Sequence, residues 1–144
     1  MTTSVAVIGA GLMGSGIAQL IAAHGMDVSL YEPFDDARHA ARDKILSICS
    51  AIGDPDECVD RIRISGDLEA SVGSVDFVIE AAPEKIELKQ ELFAKLADIT
   101  PSSALLGSNS SVIPISRIAK KLDDADASRV VGVHFWNPPY LVPL

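Results

Sequence analysis

The strongest constraint on the fold of this chain is a glycine-rich stretch near its N-terminus, Val5-Ala-Val-Ile-Gly-Ala-Gly-Leu-Met-Gly-Ser-Gly-Ile-Ala18. Its four leading apolar residues predict a short buried strand, and the apolar residues after the glycines recur at helical spacing. Between these segments, Gly9, Gly11 and Gly14 form a G-x-G-x-x-G pattern. A strand, a glycine turn and a helix in this order predict a β–α unit that binds a dinucleotide.

Each glycine of the pattern has a mechanical role in such a unit. Gly9 allows the tight turn out of the strand, Gly11 allows the backbone to approach a pyrophosphate, and Gly14 allows the helix to pack on the sheet. The amides at the start of the helix, which includes Leu12 and Met13, are free to bind phosphate. A glycine-rich turn in another kind of α/β protein is the alternative.

An acidic residue supports the dinucleotide interpretation. A second apolar run, 28–31, ends in Glu32, which lies 23 positions after Gly9. A carboxylate at this place accepts hydrogen bonds from the adenosine ribose and repels a 2′-phosphate. No arginine follows directly, so the sequence predicts NAD rather than NADP.

Composition excludes several classes of protein. A length of 144 residues with 48% hydrophobic residues corresponds to about one domain with a substantial core. We find no apolar run long enough to span a membrane and no basic leader, and the net charge of −8 disfavours nucleic acid as a partner. Cys49 and Cys58 lack metal-site spacing, so we expect reduced thiols, no metal and a cytoplasmic protein.

The rest of the chain alternates between predicted strands and helices. We expect an α/β fold, a doubly wound, Rossmann-like parallel sheet of six strands in the order 3-2-1-4-5-6. The predicted strands are 5–8, 28–31, 61–64 (at an edge), 76–81, 104–108 and 129–134. The predicted helices after the first are 35–50, 67–72, one from Pro83 to Thr100 with Glu84 in its first turn, and 113–122, while 123–128 is expected to be a loop.

Ligands bind such sheets at the carboxyl ends of the strands. His134 ends the last predicted strand, where an imidazole can take a hydroxyl proton while hydride leaves the same carbon. A buried histidine satisfied by the backbone is the alternative. Asn109, Ser110 and Ser111 follow the preceding strand at the same edge, and they could bind substrate or ribose, cap the following helix, or do both.

Four stretches together resemble the N-terminal, NAD-binding domain of the 3-hydroxyacyl-CoA dehydrogenase family. They cover nearly the whole chain in the order of the family. The stretches are Gly9-Ala-Gly-Leu-Met-Gly-Ser-Gly-Ile-Ala18, Val78-Ile-Glu-Ala-Ala-Pro-Glu-Lys-Ile-Glu-Leu-Lys-Gln-Glu-Leu-Phe93, Ser108-Asn-Ser-Ser-Val-Ile-Pro-Ile-Ser116 and Val133-His-Phe-Trp-Asn-Pro-Pro139.

The resemblance implies roles for individual residues. His134 matches the catalytic base, and Ser111 matches a serine that contacts both substrate and cofactor. Lys89 matches a cofactor-site residue, although a surface lysine is the ordinary alternative. The complete cofactor-binding set that follows from the motif and the resemblance is Gly9, Gly11, Leu12, Met13, Gly14, Glu32, Ala81, Glu84, Lys89, Ser111 and Asn137.

The chain departs from the family pattern in ways that bear on the substrate. Asn-Ser-Ser-Val replaces the usual Asn-Thr-Ser-Ser, and the segment 54–60 is short and acidic where members that use CoA often have a longer, lysine-bearing helix. The stretch 137–144 resembles the branch that oxidises free hydroxy acids, such as L-gulonate 3-dehydrogenase and lambda-crystallin. The resemblance therefore implies a 3-hydroxyacyl-CoA or a free 3-hydroxy acid as substrate.

The end of the sequence is also informative in comparison with the family. The chain stops in the apolar run Leu141-Val-Pro-Leu144. In the family, a glutamate that orients the histidine and a helical C-terminal domain that closes the cleft and dimerises come later. We therefore expect a domain from a longer, homodimeric enzyme that is inactive alone. A non-catalytic NAD(H)-binding or structural protein of the same fold is the alternative.

Overall fold

A computed structural model describes residues 3–142, in which six parallel strands form one sheet. Their order is β3-β2-β1-β4-β5-β6, which confirms the predicted doubly wound topology with β3 at one edge. The strands are β1 (Ser4–Ile8), β2 (Asp27–Tyr31), β3 (Ile62–Ser65), β4 (Phe77–Glu80), β5 (Leu105–Ser108) and β6 (Val130–Gly132).

Helices cover both faces of the sheet. They are α1 (Leu12–Ala23), α2 (Asp35–Ile52), α3 (Leu68–Val72), α4 (Ile86–Ile99), α5 (Ile115–Ile118) and α6 (Asp124–Ala127), with 3₁₀ turns at Asp56–Arg61 and Ala119–Lys121. None of these helices, within residues 3–142, has the length and apolarity needed to cross a membrane.

Alternation along β1 divides the core into two layers. Val5 and Val7 pack in a buried cluster with side chains of α1 and α2, whereas Ala6 and Ile8 pack with side chains of α3 and α4. Successive side chains of a strand point to opposite faces, so a run that is apolar at every position requires cover on both sides. The run at the start of the chain therefore dictates a central strand.

The site is positioned by the change of direction at β1. From β1 the chain winds outward through β2 and β3, and it then returns to place β4 on the other side of β1. Ligand crevices in doubly wound sheets lie at this point, beyond the carboxyl ends of the strands. The glycine loop and the segment after β4 meet there, since Ala81 N–H donates to Ile8 O (2.9 Å).

Two predicted helices start later in the structure by two residues or more, whereas α2 and α3 differ from their predicted bounds by one or two residues. The helix expected to begin at Pro83 begins at Ile86, because Pro83 to Lys85 form a turn in which Lys85 N–H donates to Pro83 O (2.7 Å). Glu84 therefore lies before α4 rather than in its first turn. The helix expected over 113–122 is α5 followed by a 3₁₀ turn, and its start is delayed because Pro114 disfavours helical conformation in the residue before it.

Two smaller expectations were also wrong. The expected loop 123–128 contains α6, which forms because the Asp123 side chain caps it by accepting from Asp126 N–H (2.8 Å). The last strand ends at Gly132, so His134 lies in the following loop. The acidic segment forms the 3₁₀ turn 56–61. The expectation about the end of the chain falls partly on residues 143 and 144, which lie outside the described residues.

Candidate active site

The glycine loop has the geometry that its sequence pattern predicts. Gly9 has φ +100, where a side chain would be strained, and a β-carbon there would lie 3.0 Å from Ala81 O. A β-carbon at Gly14 would lie 1.7 Å from Gly9 O, so another residue would separate α1 from the loop. Around Gly11, in contrast, no described atom lies within 4 Å of a built β-carbon, and the backbone there is open to a ligand.

The start of α1 leaves amides free for an anion. The first helical hydrogen bond joins Ser15 N–H to Gly11 O (3.0 Å), so the amides of Leu12, Met13 and Gly14 have no acceptor within the helix. Among the described residues no side chain caps this helix and its first turn carries no acidic residue. An open glycine and uncapped amides at a positive helix end fit the pyrophosphate of a dinucleotide.

Glu32 lies at the carboxyl end of β2, as predicted, and it is 6% exposed. Its Oε2 accepts from Ala10 N–H (2.8 Å), and its Oε1 accepts from Phe34 N–H (3.2 Å). The carboxylate therefore connects the glycine loop to the segment that follows β2. The sequence pattern alone assigned it to the cofactor and did not predict this bond within the protein.

A buried ion pair lies beneath the segment after β4. Lys89 Nζ is 2.6 Å from Glu80 Oε1, and the two side chains are 1% and 0% exposed. The ammonium also faces Glu84 Oε2 (3.2 Å) and Ala82 O (3.4 Å), so each of its three N–H groups has an acceptor within the chain. The surface-lysine alternative is therefore wrong. The second carboxylate oxygen of Glu80, Oε2, accepts a hydrogen bond from Ser108 Oγ (2.6 Å).

Glu84 connects this ion pair to the loop after β5. Its Oε1 accepts from the hydroxyl of Ser110, from Ser111 N–H (3.1 Å) and from Val112 N–H (3.2 Å). Burial by itself would raise the pKa of Glu84, but the hydrogen bonds from Ser110 and Val112 and the Lys89 ammonium outweigh it and lower the pKa to about 2. Glu84 is therefore ionised, and it fixes the backbone of the loop that carries Ser111.

Ser111 and His134 face each other at the mouth of the crevice. Ser111 Oγ lies 2.9 Å from His134 Nε2, a hydrogen-bonding distance. The two loops that carry them are joined by Asn109, whose Oδ1 accepts from Phe135 N–H (2.8 Å). The predicted helix-capping role of these residues is wrong, because Pro114 is the N-cap of α5, although Ser110 Oγ accepts from Ile113 N–H (3.2 Å) in the preceding turn.

The serine and the histidine line a cleft of about 310 Å³. Its other walls come from α1 and from the two loops; they are Met13, Asn109, Phe135, Trp136 and Asn137. A larger groove of about 550 Å³ lies elsewhere, along α1 and the segment 139–142, but its lining is almost entirely apolar. Of the predicted set, the smaller cleft brings together Met13, Ser111, His134 and Asn137, and it holds the hydrogen-bonded serine–histidine pair.

Residues that the sequence analysis did not single out hold these groups in place. Glu80, Ser108 and Lys44 make buried or half-buried hydrogen bonds to the loops of the site. One pattern could have indicated Glu80, since a charged residue at the end of an otherwise apolar, central strand needs a buried partner. Nothing local distinguishes Lys44, because it lies among other charged residues of a helix.

A doubly wound sheet with a glycine loop and open helix amides at the carboxyl edge of its strands defines a dinucleotide-binding domain. Residues 4–144 match the family model for the 3-hydroxyacyl-CoA dehydrogenase, NAD binding domain, and the chain belongs to that family. The predicted resemblance and the predicted cofactor, NAD, are thereby confirmed.

Individual relatives agree with this membership. The 3-hydroxyadipyl-CoA dehydrogenase of Escherichia coli K12 is 37% identical in an alignment 149 positions long, which covers 98% of this chain and 31% of that protein. The L-carnitine dehydrogenase of Streptomyces griseus is 35% identical over 144 residues, which cover 97% of this chain and 42% of that protein. The crystal structure of a 3-hydroxybutyryl-CoA dehydrogenase from Escherichia coli K12 superposes with a TM-score of 0.88 at 38% identity, covering 98% of this chain and 31% of that one.

These matches also give the extent of the shared region. The chain spans between 31% and 51% of the length of the curated relatives it matches. The relatives are named as dehydrogenases of hydroxyacyl-CoA esters and of smaller molecules. Membership therefore establishes a dehydrogenase-type, NAD-binding domain, and the reaction and substrate of the whole protein are a separate matter.

Proposed function

We propose that this chain is the NAD-binding part of an enzyme that oxidises the 3-hydroxyl of a 3-hydroxyacyl-CoA or a related 3-hydroxy acid to the 3-oxo product. The observation that carries the proposal is the 2.9 Å separation of Ser111 Oγ and His134 Nε2 at the mouth of the crevice beside the glycine loop. A hydroxyl and an imidazole at this distance can share a substrate oxygen and its proton. NAD, when bound, supplies the hydride acceptor.

In this proposal the two side chains have distinct roles. His134 accepts the proton of the substrate hydroxyl at Nε2, the ring atom that faces Ser111. Ser111 orients the substrate oxygen toward that nitrogen. Glu84 and Asn109 keep the two loops together, since Glu84 binds the amide of Ser111 and Asn109 binds the amide of Phe135. Orientation of this kind is a large part of the rate enhancement in many enzymes.

The proposed cofactor site follows the crevice from β2 to β6. The amides of Leu12 and Met13 hold the pyrophosphate, and Glu32 binds the adenosine ribose and excludes a 2′-phosphate. Lys89 contributes through Glu84, whose carboxylate it holds at the rim. The complete proposed set is Gly9, Gly11, Leu12, Met13, Gly14, Glu32, Ala81, Glu84, Lys89, Ser111 and Asn137.

For the substrate we propose a small, free 3-hydroxy acid in preference to a long acyl-CoA. The acidic segment 54–60 would repel the phosphates of CoA, and Asp56, Glu57 and Asp60 within it are exposed. Relatives named for L-carnitine, a free 3-hydroxy acid, also support this preference. Comparing kcat/KM of the full-length protein for L-gulonate, L-carnitine and 3-hydroxybutyryl-CoA tests it, and a strong preference for the CoA ester would overturn it.

The wider organisation of the protein is part of the same proposal. We propose that a helical C-terminal domain closes the cleft, supplies the glutamate that orients His134 and forms a homodimer, and that the protein works in the cytoplasm. The partial coverage of the relatives and the free thiols of Cys49 and Cys58 support this organisation. The full-length sequence and its mass in solution test the domain and the dimer.

Measurements on the chain of 144 residues test whether it binds the cofactor by itself and whether catalysis needs further residues. Calorimetry should detect NADH binding, because the glycine loop, Glu32 and the cofactor side of the sheet are all present. A dehydrogenase assay should detect no turnover, because the groups that enclose the substrate are not among these residues. Turnover near that of an ordinary dehydrogenase would show that the reaction site is misplaced, and binding without turnover in the full-length protein would favour the non-catalytic alternative.

A further inference from the structure

The peptide backbone at Ala10, in the middle of the glycine loop, is held by charged side chains at both ends. Its N–H donates to Glu32 Oε2 (2.8 Å) in a buried hydrogen bond. Its carbonyl oxygen accepts from Lys44 Nζ (2.9 Å) and from Ser15 Oγ (3.0 Å). Glu32 follows β2 and Lys44 lies on α2, so the loop is anchored to two elements that come later in the chain.

The bond from Lys44 has a geometric consequence for the next amide. In a trans peptide unit the C=O of one residue and the N–H of the next point in opposite directions. The cis bond in residues 3–142 is Asn137–Pro138, so the Ala10–Gly11 unit is trans. Because Lys44 and Ser15 bind the Ala10 carbonyl from the side of the helices, the Gly11 N–H points away from those two side chains. Gly11 also has free space for a ligand, since a β-carbon built there would meet no described atom within 4 Å.

We propose that Lys44 is a positioning residue for the cofactor: by binding the Ala10 carbonyl it aims the Gly11 amide at the pyrophosphate. This inference rests on the proposed binding of NAD at the glycine loop. Lys44 acts through the backbone and touches no phosphate. Because Lys44 is half-buried and its bond is charge-assisted, the contact is stronger and less screened than an exposed lysine contact.

The charge of Lys44 also suits this place. The chain has a net charge of −8, and Glu32 binds the N–H of the preceding peptide unit, Gly9–Ala10. A dinucleotide brings two further negative charges to the loop, so a cation behind the loop lowers the electrostatic cost of binding. A neutral donor at residue 44 would supply the hydrogen bond without this charge.

The test compares Lys44→Met, Lys44→Arg and the control Lys95→Met, since Lys95 is an exposed residue on α4. Calorimetry with ADP, which contains the pyrophosphate, should give a dissociation constant roughly tenfold higher for Lys44→Met, the scale of one hydrogen bond to a charged group. Lys44→Arg should recover most of the affinity, and Lys95→Met should bind as the unmodified chain does. Nicotinamide mononucleotide, which lacks the pyrophosphate, should show little dependence on residue 44.

Amide NMR separates positioning from a general loss of structure. In ¹⁵N–¹H spectra without ligand, Lys44→Met should move the Gly11 cross-peak and leave that of Gly25, which lies in the open turn after α1, unchanged. Movement of both peaks, or ADP affinity unchanged in Lys44→Met, overturns the inference and leaves the proposed function intact. Failure of the unmodified chain to bind ADP or NADH overturns both. If Lys44→Met does not fold, Ser15→Ala, which removes the second donor to Ala10 O, should raise the ADP dissociation constant by a smaller factor, and no change would contradict the inference.

Discussion

Ser111 and His134 are separated by 23 residues in the sequence, yet the hydroxyl oxygen of one lies 2.9 Å from the imidazole Nε2 of the other. The register of β5 and β6 brings them together, because Ser108 is paired with Gly132, and Ser111 and His134 follow these positions by three and two residues. Neighbouring parallel strands end at the same edge of a sheet. The pair is therefore a consequence of topology, and its chemistry can be tested by substitution.

Replacing His134 should remove the proton acceptor. In the full-length protein we expect His134→Ala to lower kcat by roughly 10²–10⁴, the usual effect of losing a general base, with little change in NADH affinity. Steady-state kinetics and calorimetry measure the two quantities. A preserved kcat would mean that His134 has a structural role.

Replacing Ser111 should disturb the orientation of the substrate oxygen and leave the proposed base, His134, in place. We expect Ser111→Ala to lower kcat less than His134→Ala does, by roughly tenfold or more, because one oriented hydrogen bond is lost. Ser116→Ala is the matched control, since Ser116 is an exposed residue on α5. Equal activities of the Ser111 and Ser116 variants would exclude Ser111 from the site.

Glu32 should determine the choice of cofactor and also support the loop. In the unmodified chain NADH should bind far more tightly than NADPH. Glu32→Gln keeps an acceptor for the Ala10 amide and removes the charge. It should therefore reduce the difference in binding free energy between NADH and NADPH by about 1–3 kcal/mol. Glu32→Ser should reduce the same difference in binding free energy. It should also weaken the binding of NADH, because the Ala10 amide loses its hydrogen-bond acceptor. Titration calorimetry with both cofactors decides, and equal affinities in the unmodified chain would contradict the assignment.

Glu84 should give the protein a pH-dependent contribution to stability. Its pKa falls from an ordinary value of 4.5 to about 2 in the folded chain, so its ionised form favours folding at every pH above about 4.5. That contribution should decrease as the pH falls from about 4.5 toward 2. Glu84→Gln should therefore have a lower Tm than the unmodified chain at pH 7, with the difference shrinking at acid pH. A difference in Tm that is constant from pH 7 to 3 would argue against this role.

Arg129 should be important for the stability of the fold, although it is not part of the candidate active site. It is 7% exposed, and its guanidinium donates to Ala97 O (2.8 Å) and Thr100 Oγ1 (2.8 Å) at the end of α4 and to Asp126 Oδ1 (2.9 Å). Arg129→Met should lower the free energy of unfolding by about 2–4 kcal/mol, because buried acceptors lose their donors. Urea denaturation measures this loss. Arg117→Met, at an exposed position, should change it by less than about 0.5 kcal/mol.

Local patterns were sufficient for the sheet and insufficient for the short elements. Apolar runs predicted five of the six strands, since burial on both faces leaves a continuous hydrophobic signature, and the alternation in residues 61–64 predicted the edge strand β3. The start of α4 and the presence of α6 were missed, because a turn at Pro83 and a single aspartate cap at Asp123 decide them. Such short elements gain little from periodicity and depend on individual hydrogen bonds.

The sequence by itself determined the doubly wound fold, the NAD-type glycine loop and the edge of the sheet at which polar residues collect, because each follows from periodicity and from glycine sterics along the chain. The tertiary structure decided which polar groups meet. It buried Lys89 against Glu80, placed Glu84 under the amides of Ser111 and Val112, and brought Lys44 to the Ala10 carbonyl. These contacts join residues that are distant in sequence, and their geometry depends on the packing of helices and loops against the completed sheet.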